Sequence, residues 1–65
     1  MQSVIYFDKN ISSWVYFEIA PDGERLGSPG YGQEPEDAIS LYEKNLPEKE
    51  ALQRKLFLDF CFVSH

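Results

Sequence analysis

The apolar positions of this chain fall into three short runs of strand type followed by two of helical type. Val4-Ile5-Tyr6-Phe7 sits between Ser3 and the polar cluster Asp8-Lys9-Asn10, and a run of strand formers closed by turn residues predicts a first strand over Ser3–Asp8. Trp14-Val15-Tyr16-Phe17-Glu18-Ile19 is aromatic and β-branched and predicts a second strand. A connection as short as Lys9–Ser13 makes the two an antiparallel hairpin, not a crossover pair. Alternation puts Trp14, Tyr16 and Glu18 on one face of the second strand and Val15, Phe17 and Ile19 on the other. The second set is wholly apolar and is expected to face the core, with Trp14 and Tyr16 on the outer face.

Ala20-Pro21-Asp22-Gly23 is a turn, because Pro presets φ and Gly accepts a positive one. Glu24–Gly27 then returns as a short, polar edge strand, and Gly27-Ser28-Pro29-Gly30-Tyr31-Gly32 is expected to be a flexible connection. Pro35-Glu36-Asp37 opens a helix, with Pro in its first turn and acids where they complement the helix dipole. Ala38, Ile39, Tyr42 and Leu46 share one face of that helix, and Leu41 lies at the border. Asn45 is its expected stop through a left-handed conformation, and Pro47 ends any continuation.

From Pro47 to about Phe60, Ala51, Leu52, Leu56 and Phe60 recur at helical spacing, with Glu50 four residues before Arg54. The run Leu56–Val63 is nearly continuous in apolar character and also suits a buried strand. The expected class is α+β: a small antiparallel sheet of two to three strands packed against one or two helices. The order is β-β-β-α-α, with β-β-β-α-β as the alternative.

Sixty-five residues make a single domain, 1–65, and one so short buries only about 60% of the surface its unfolded chain exposes. Cys61 is the lone cysteine, so no intramolecular disulfide helps it. Ten residues are Phe, Tyr or Trp, a load that implies either dense packing or a surface that meets another chain, and a homodimer is expected. The formal charge of −5 opposes sequence-independent binding to nucleic acid and to anionic membranes, and it suits a basic partner. The first residues lack a positive n-region and a long apolar segment, no run reaches the ~18 residues of a spanning helix, and a cytoplasmic protein is expected.

Chemistry is thinly represented. Gly27-x-x-Gly30-x-Gly32 before a helix has the outline of a phosphate cradle, but Gln33-Glu34-Pro35-Glu36-Asp37 stands where a P-loop needs Lys and Ser or Thr. Glu34, Glu36 and Asp37 lack the alternate spacing and distal Glu of a calcium loop and read as a solvated helix start. Cys61 and His65 are four apart without a third soft ligand, and Cys61 among Phe60, Phe62 and Val63 reads as a core residue. With His65 the one histidine, no Ser–His–Asp set can be assembled. No catalytic, cofactor or metal residue is therefore assigned, and an enzyme is not expected.

The aromatic and acidic residues remain as candidates. Trp14, Tyr16 and Tyr31 offer rigid area with a polar handle, as interface hot spots do, and Glu36 and Asp37 offer charge.

Trp14-Val15-Tyr16-Phe17, Asp22-Gly23-Glu24-Arg25, Gly30-Tyr31 and Ala38 together resemble the layout of the arm-type DNA-binding domains of phage integrases. That resemblance implies a three-stranded sheet, a D-G-x-R turn and a helix opening with acids, over about half the chain. The basic strand residues that grip DNA in that family are missing here. The strand–strand–strand–helix order is also similar to HicB-like antitoxins. The expected function is a small acidic protein-binding module, an inhibitor or antitoxin-like regulator of phage or prophage type. The alternatives are a nucleic-acid-binding domain of the integrase-arm kind and an acidic DNA mimic.

Overall fold

The computed structural model describes residues 1–63, with side chains as far as Phe57. Three antiparallel strands form one open sheet, β1 (Gln2–Asp8), β2 (Ser13–Ile19) and β3 (Arg25–Gly32), in the spatial order β1-β2-β3. Two helices follow, α1 (Pro35–Asn45) and α2 (Glu48–Val63). This is the α+β architecture in the order β-β-β-α-α, so the segment 56–63 continues a helix instead of forming a fourth strand.

Each connection has a local cause. In the β1–β2 turn the Asp8 carboxylate accepts a hydrogen bond from the Asn10 amide at 2.9 Å, and Ser12 takes a left-handed φ of 50°. In the β2–β3 turn the Ala20 carbonyl accepts from Gly23 N–H at 2.9 Å, the Asp22 carboxylate from Glu24 N–H at 3.0 Å, and Gly23 sits at φ 91°. That φ is open to glycine without a steric penalty. Helix α1 starts with Pro35 in its first turn and ends at Asn45. The stop is not a left-handed Asn45. Leu46 is extended, at φ −67° and ψ 124°, because the ring of Pro47 excludes helical geometry from the residue before it.

The sequence expectation fails at β3. The strand does not fade at Gly27; it runs on through Gly32, so the glycine-rich stretch is sheet and not a flexible connection. An irregularity in register between Tyr16 and Glu18 lets the longer β3 follow β2. Gly30 pairs with Tyr16 and Gly32 with Trp14, which puts both glycines on one face, and α1 lies directly on them. A Cβ on Gly30 would fall 2.2 Å from the Ala38 carbonyl oxygen, and one on Gly32 would fall 2.7 Å from the Ala38 nitrogen. The alternating glycines are the seat of the helix.

The face that carries α1 is the opposite of the one expected. Tyr16, Ala38 and Tyr42 form the buried cluster, with Trp14, Phe17, Ile39 and Leu46 packed around it. Glu18, from the same side of β2, is 1% exposed. By alternation along β2, the apolar Val15 and Ile19 lie on the face opposite Tyr16 and Glu18, while Phe17 of the same set still touches the cluster. Polar content misleads here because the buried polar atoms are all satisfied: among the described residues, no buried side-chain nitrogen or oxygen lacks a hydrogen-bond partner. No helix of the described residues is long and apolar enough to cross a membrane.

Candidate functional site

Beneath α1 lies a polar network built from both ends of the chain. The Glu18 carboxylate accepts from the Tyr16 hydroxyl at 2.5 Å and from Arg54 Nε at 2.7 Å. Arg54 also donates from a terminal nitrogen to Glu43 at 2.9 Å, so one guanidinium ties β2, α1 and α2 together. This replaces the expected pairing of Arg54 with Glu50 along its own helix. Tyr42 packs edge-on to Tyr16, with ring centroids 5.2 Å apart, and its hydroxyl donates to the Leu26 carbonyl.

Burial pushes the Tyr42 phenol up to about 12, and the Glu18 carboxylate adds to the shift. The Tyr16 phenol is raised as well, first by burial and then by its hydrogen bond to Glu18. Arg54 is held above its ordinary value, chiefly by its hydrogen bond to the same carboxylate. A carboxylate with both oxygens engaged and almost no exposure offers nothing to a substrate. The network is an internal clamp.

The sheet's other face is different. Tyr6, Val15 and Tyr31 stand opposite one another in a row across all three strands. Tyr6 and Tyr31 are 45% and 46% exposed, while Val15 between them is only 2% exposed. The next row holds Val4 and Phe17, and the Arg25 guanidinium lies 4.4 Å above the Phe17 ring, within cation–π range. The described helices pack on the opposite face, against β2 and β3.

The five candidate residues do not gather on one surface. Trp14 is half-buried on the helix side, edge-on to Phe7 at 5.6 Å, and Tyr16 is buried there outright. Tyr31 belongs to the outer row. Glu36 and Asp37 are exposed in the first turn of α1, on the side of the sheet away from Tyr31. Sequence reasoning passed over Tyr6, Phe17 and Arg25 as surface groups. The hairpin register, which sets Tyr6 opposite Val15, is the signal that finds the first of them.

An open cleft of about 270 Å³ lies between the β2–β3 turn and α2, lined by Asp22, Glu24, Arg25, Glu50, Gln53 and Phe57 among others. It brings acids near a single arginine and holds no nucleophile. Among the described residues, no three of His, Cys, Asp and Glu come together as ligands for a metal ion. Cys61, read from the sequence as a core residue, and His65 lie outside the described side chains. In comparisons with protein-family models, curated proteins and solved structures, nothing matches this chain.

Proposed function

We propose that the chain is a non-catalytic protein-binding module whose recognition surface is the outer face of its sheet. The observation that carries this reading is the row Tyr6–Val15–Tyr31, which spans three strands and leaves both tyrosines nearly half exposed on either side of a buried valine. Tyrosines flanking a desolvated aliphatic residue are the makings of a hot spot, since they bring large rigid area at low entropic cost. The net charge of −5 supports a partner that carries a basic rim around an apolar patch, drawn in by complementary fields. In its concrete form the module is an inhibitor or antitoxin-like regulator of phage or prophage type.

The integrase-arm alternative would lay the sheet into a DNA groove. The three strands carry one cation between them, Arg25, already engaged with Phe17. That is too little charge to hold phosphates.

The test is a titration against the purified partner, first identified by affinity capture from the host. Tyr6→Ala and Tyr31→Ala should each weaken binding by about tenfold or more, the ~1.4 kcal/mol or greater expected of a hot-spot residue. Trp14→Ala, on the helix side, should leave affinity nearly unchanged. Full affinity in both tyrosine variants, with far-UV circular dichroism intact, would overturn the reading.

A further inference from the structure

The open sheet has two edges, and they are guarded very differently. At β3, Pro29 lacks an N–H, the register is irregular, and Leu46 crowds the side of Gly27. These are the devices by which natural sheets discourage stray pairing. At β1 none of them is present. The strand runs seven residues in unbroken register with β2, without Pro or Gly, and its one charge is Asp8 at the end. Helix α1 packs chiefly on β2 and β3. Ile5 and Phe7 are left 43% and 47% exposed on the helix side, and Tyr6 is exposed on the other.

We propose that β1 pairs antiparallel with β1 of a second copy, about a two-fold axis through Ile5, to join two sheets into one of six strands. A two-fold perpendicular to the sheet keeps every side chain on its own face and makes the contact isologous. Ile5 then meets Ile5, Val4 meets Tyr6, Ser3 meets Phe7 and Gln2 meets Asp8, so all seven residues of the strand are used. Large side chains fall beside smaller ones, and Asp8 meets an uncharged amide instead of another acid, which avoids the penalty for like charges directly opposed.

The choice of a second copy as occupant follows from the self-complementary register, and the stretch it uses limits the cost of like charge. Two chains of −5 repel, and Gln2–Phe7 is a stretch where they can meet without bringing acids together. On the helix side, Ile5 and Phe7 of both copies fill the gap between the two α1 helices. On the outer side the two aromatic rows become one continuous surface. This pairing does not depend on the protein-binding reading, because it is tested with the chain alone.

Sedimentation equilibrium of the full chain should give twice the 7.5 kDa of one copy. Ile5→Lys sets like charges face to face at the axis and should return the mass to that of one chain, with far-UV circular dichroism unchanged. Ile5→Cys, combined with Cys61→Ser, should cross-link on oxidation, because residues directly opposite in such a pair lie about 4.5–5.5 Å apart, within disulfide reach. Gln2→Cys in the same background should not, since its two copies would be about 20 Å apart. If Ile5→Lys fails to fold, the cysteine pair decides by itself. A wild-type chain of single mass would overturn the proposal and leave the edge to a foreign strand. So would a dimer that Ile5→Lys leaves intact and Ile5→Cys does not cross-link, which would place the outer face or the Leu52–Leu56 side of α2 between the copies.

Discussion

At the scale of single residues, the fold turns on Glu18 and the three groups around it. A carboxylate withdrawn from water is costly unless it is paired and hydrogen-bonded, and Glu18 has both a cation and a phenol. Arg54 keeps part of its side chain in solvent and shares itself with exposed Glu43, so its own desolvation is incomplete. The consequence that can be measured sits on the phenols. An unfolded tyrosine ionises near pH 10, whereas Tyr42 in the fold holds its proton up to about 12. Through that window the unfolded chain binds fewer protons than the native one, so stability falls as pH rises; below it the contribution is complete. Tyr16 is shifted in the same direction, and Arg54 stays charged throughout. Tyr42→Phe should lower stability at neutral pH by about 1–3 kcal/mol, because the Leu26 carbonyl loses its donor. It should also flatten the decline between pH 10 and about 12. Other groups titrating there cancel between the two proteins, so equal slopes in thermal midpoint against pH would refute this account.

At the scale of elements, the governing contact is between α1 and the glycines of β3. Gly30→Ala drives a methyl against helix backbone, the Ala38 carbonyl and the Tyr42 nitrogen, which no side-chain rotation relieves. Overpacking of this kind costs about 1–3 kcal/mol and often more where backbone must shift. Gly23→Ala meets nothing within 4 Å and suffers only its left-handed φ, about 1–2 kcal/mol. Urea unfolding should therefore show Gly30→Ala as the more damaging of the two, and the reverse order would deny that the glycines seat the helix. The same contact explains what could be read in advance. The bounds of α1 were legible because Pro35 and Pro47 punctuate the chain at both ends. The length of β3 was not, since Gly and Pro read as a loop until a helix is known to need the space. The spacing of Gly30 and Gly32, two apart, was the available clue. The facing of β2 was hidden for a related reason: Tyr16 and Glu18 look like surface residues until Arg54 arrives from 36 positions beyond Glu18. Of the candidate site, Tyr31 lies exposed on the outer face, while Tyr16 is spent on the interior.

At the scale of the whole molecule, the two proposed contacts of the sheet should respond to salt in opposite directions. Union along β1 brings together chains of the same sign, so Coulomb repulsion between the copies opposes it and added salt relieves that opposition. Capture of a basic partner on the outer face gains from attraction, and salt removes the gain. The apolar contribution of Ile5, Phe7, Tyr6 and Tyr31 depends little on ionic strength in this range. Raising salt from well below to about physiological strength, where the screening length shortens from about 30 Å to about 8 Å, should tighten self-association and loosen the heterologous complex. Sedimentation measures the first and titration calorimetry the second. Because the charge is spread over a domain only 22 Å by 19 Å in its shorter extents, both trends should be visible with the same buffers. A dimer that weakens with salt would mean that an ion pair, and not the uncharged strand edge, holds the copies together. A complex indifferent to salt would leave the acidic character of the chain without a part in recognition.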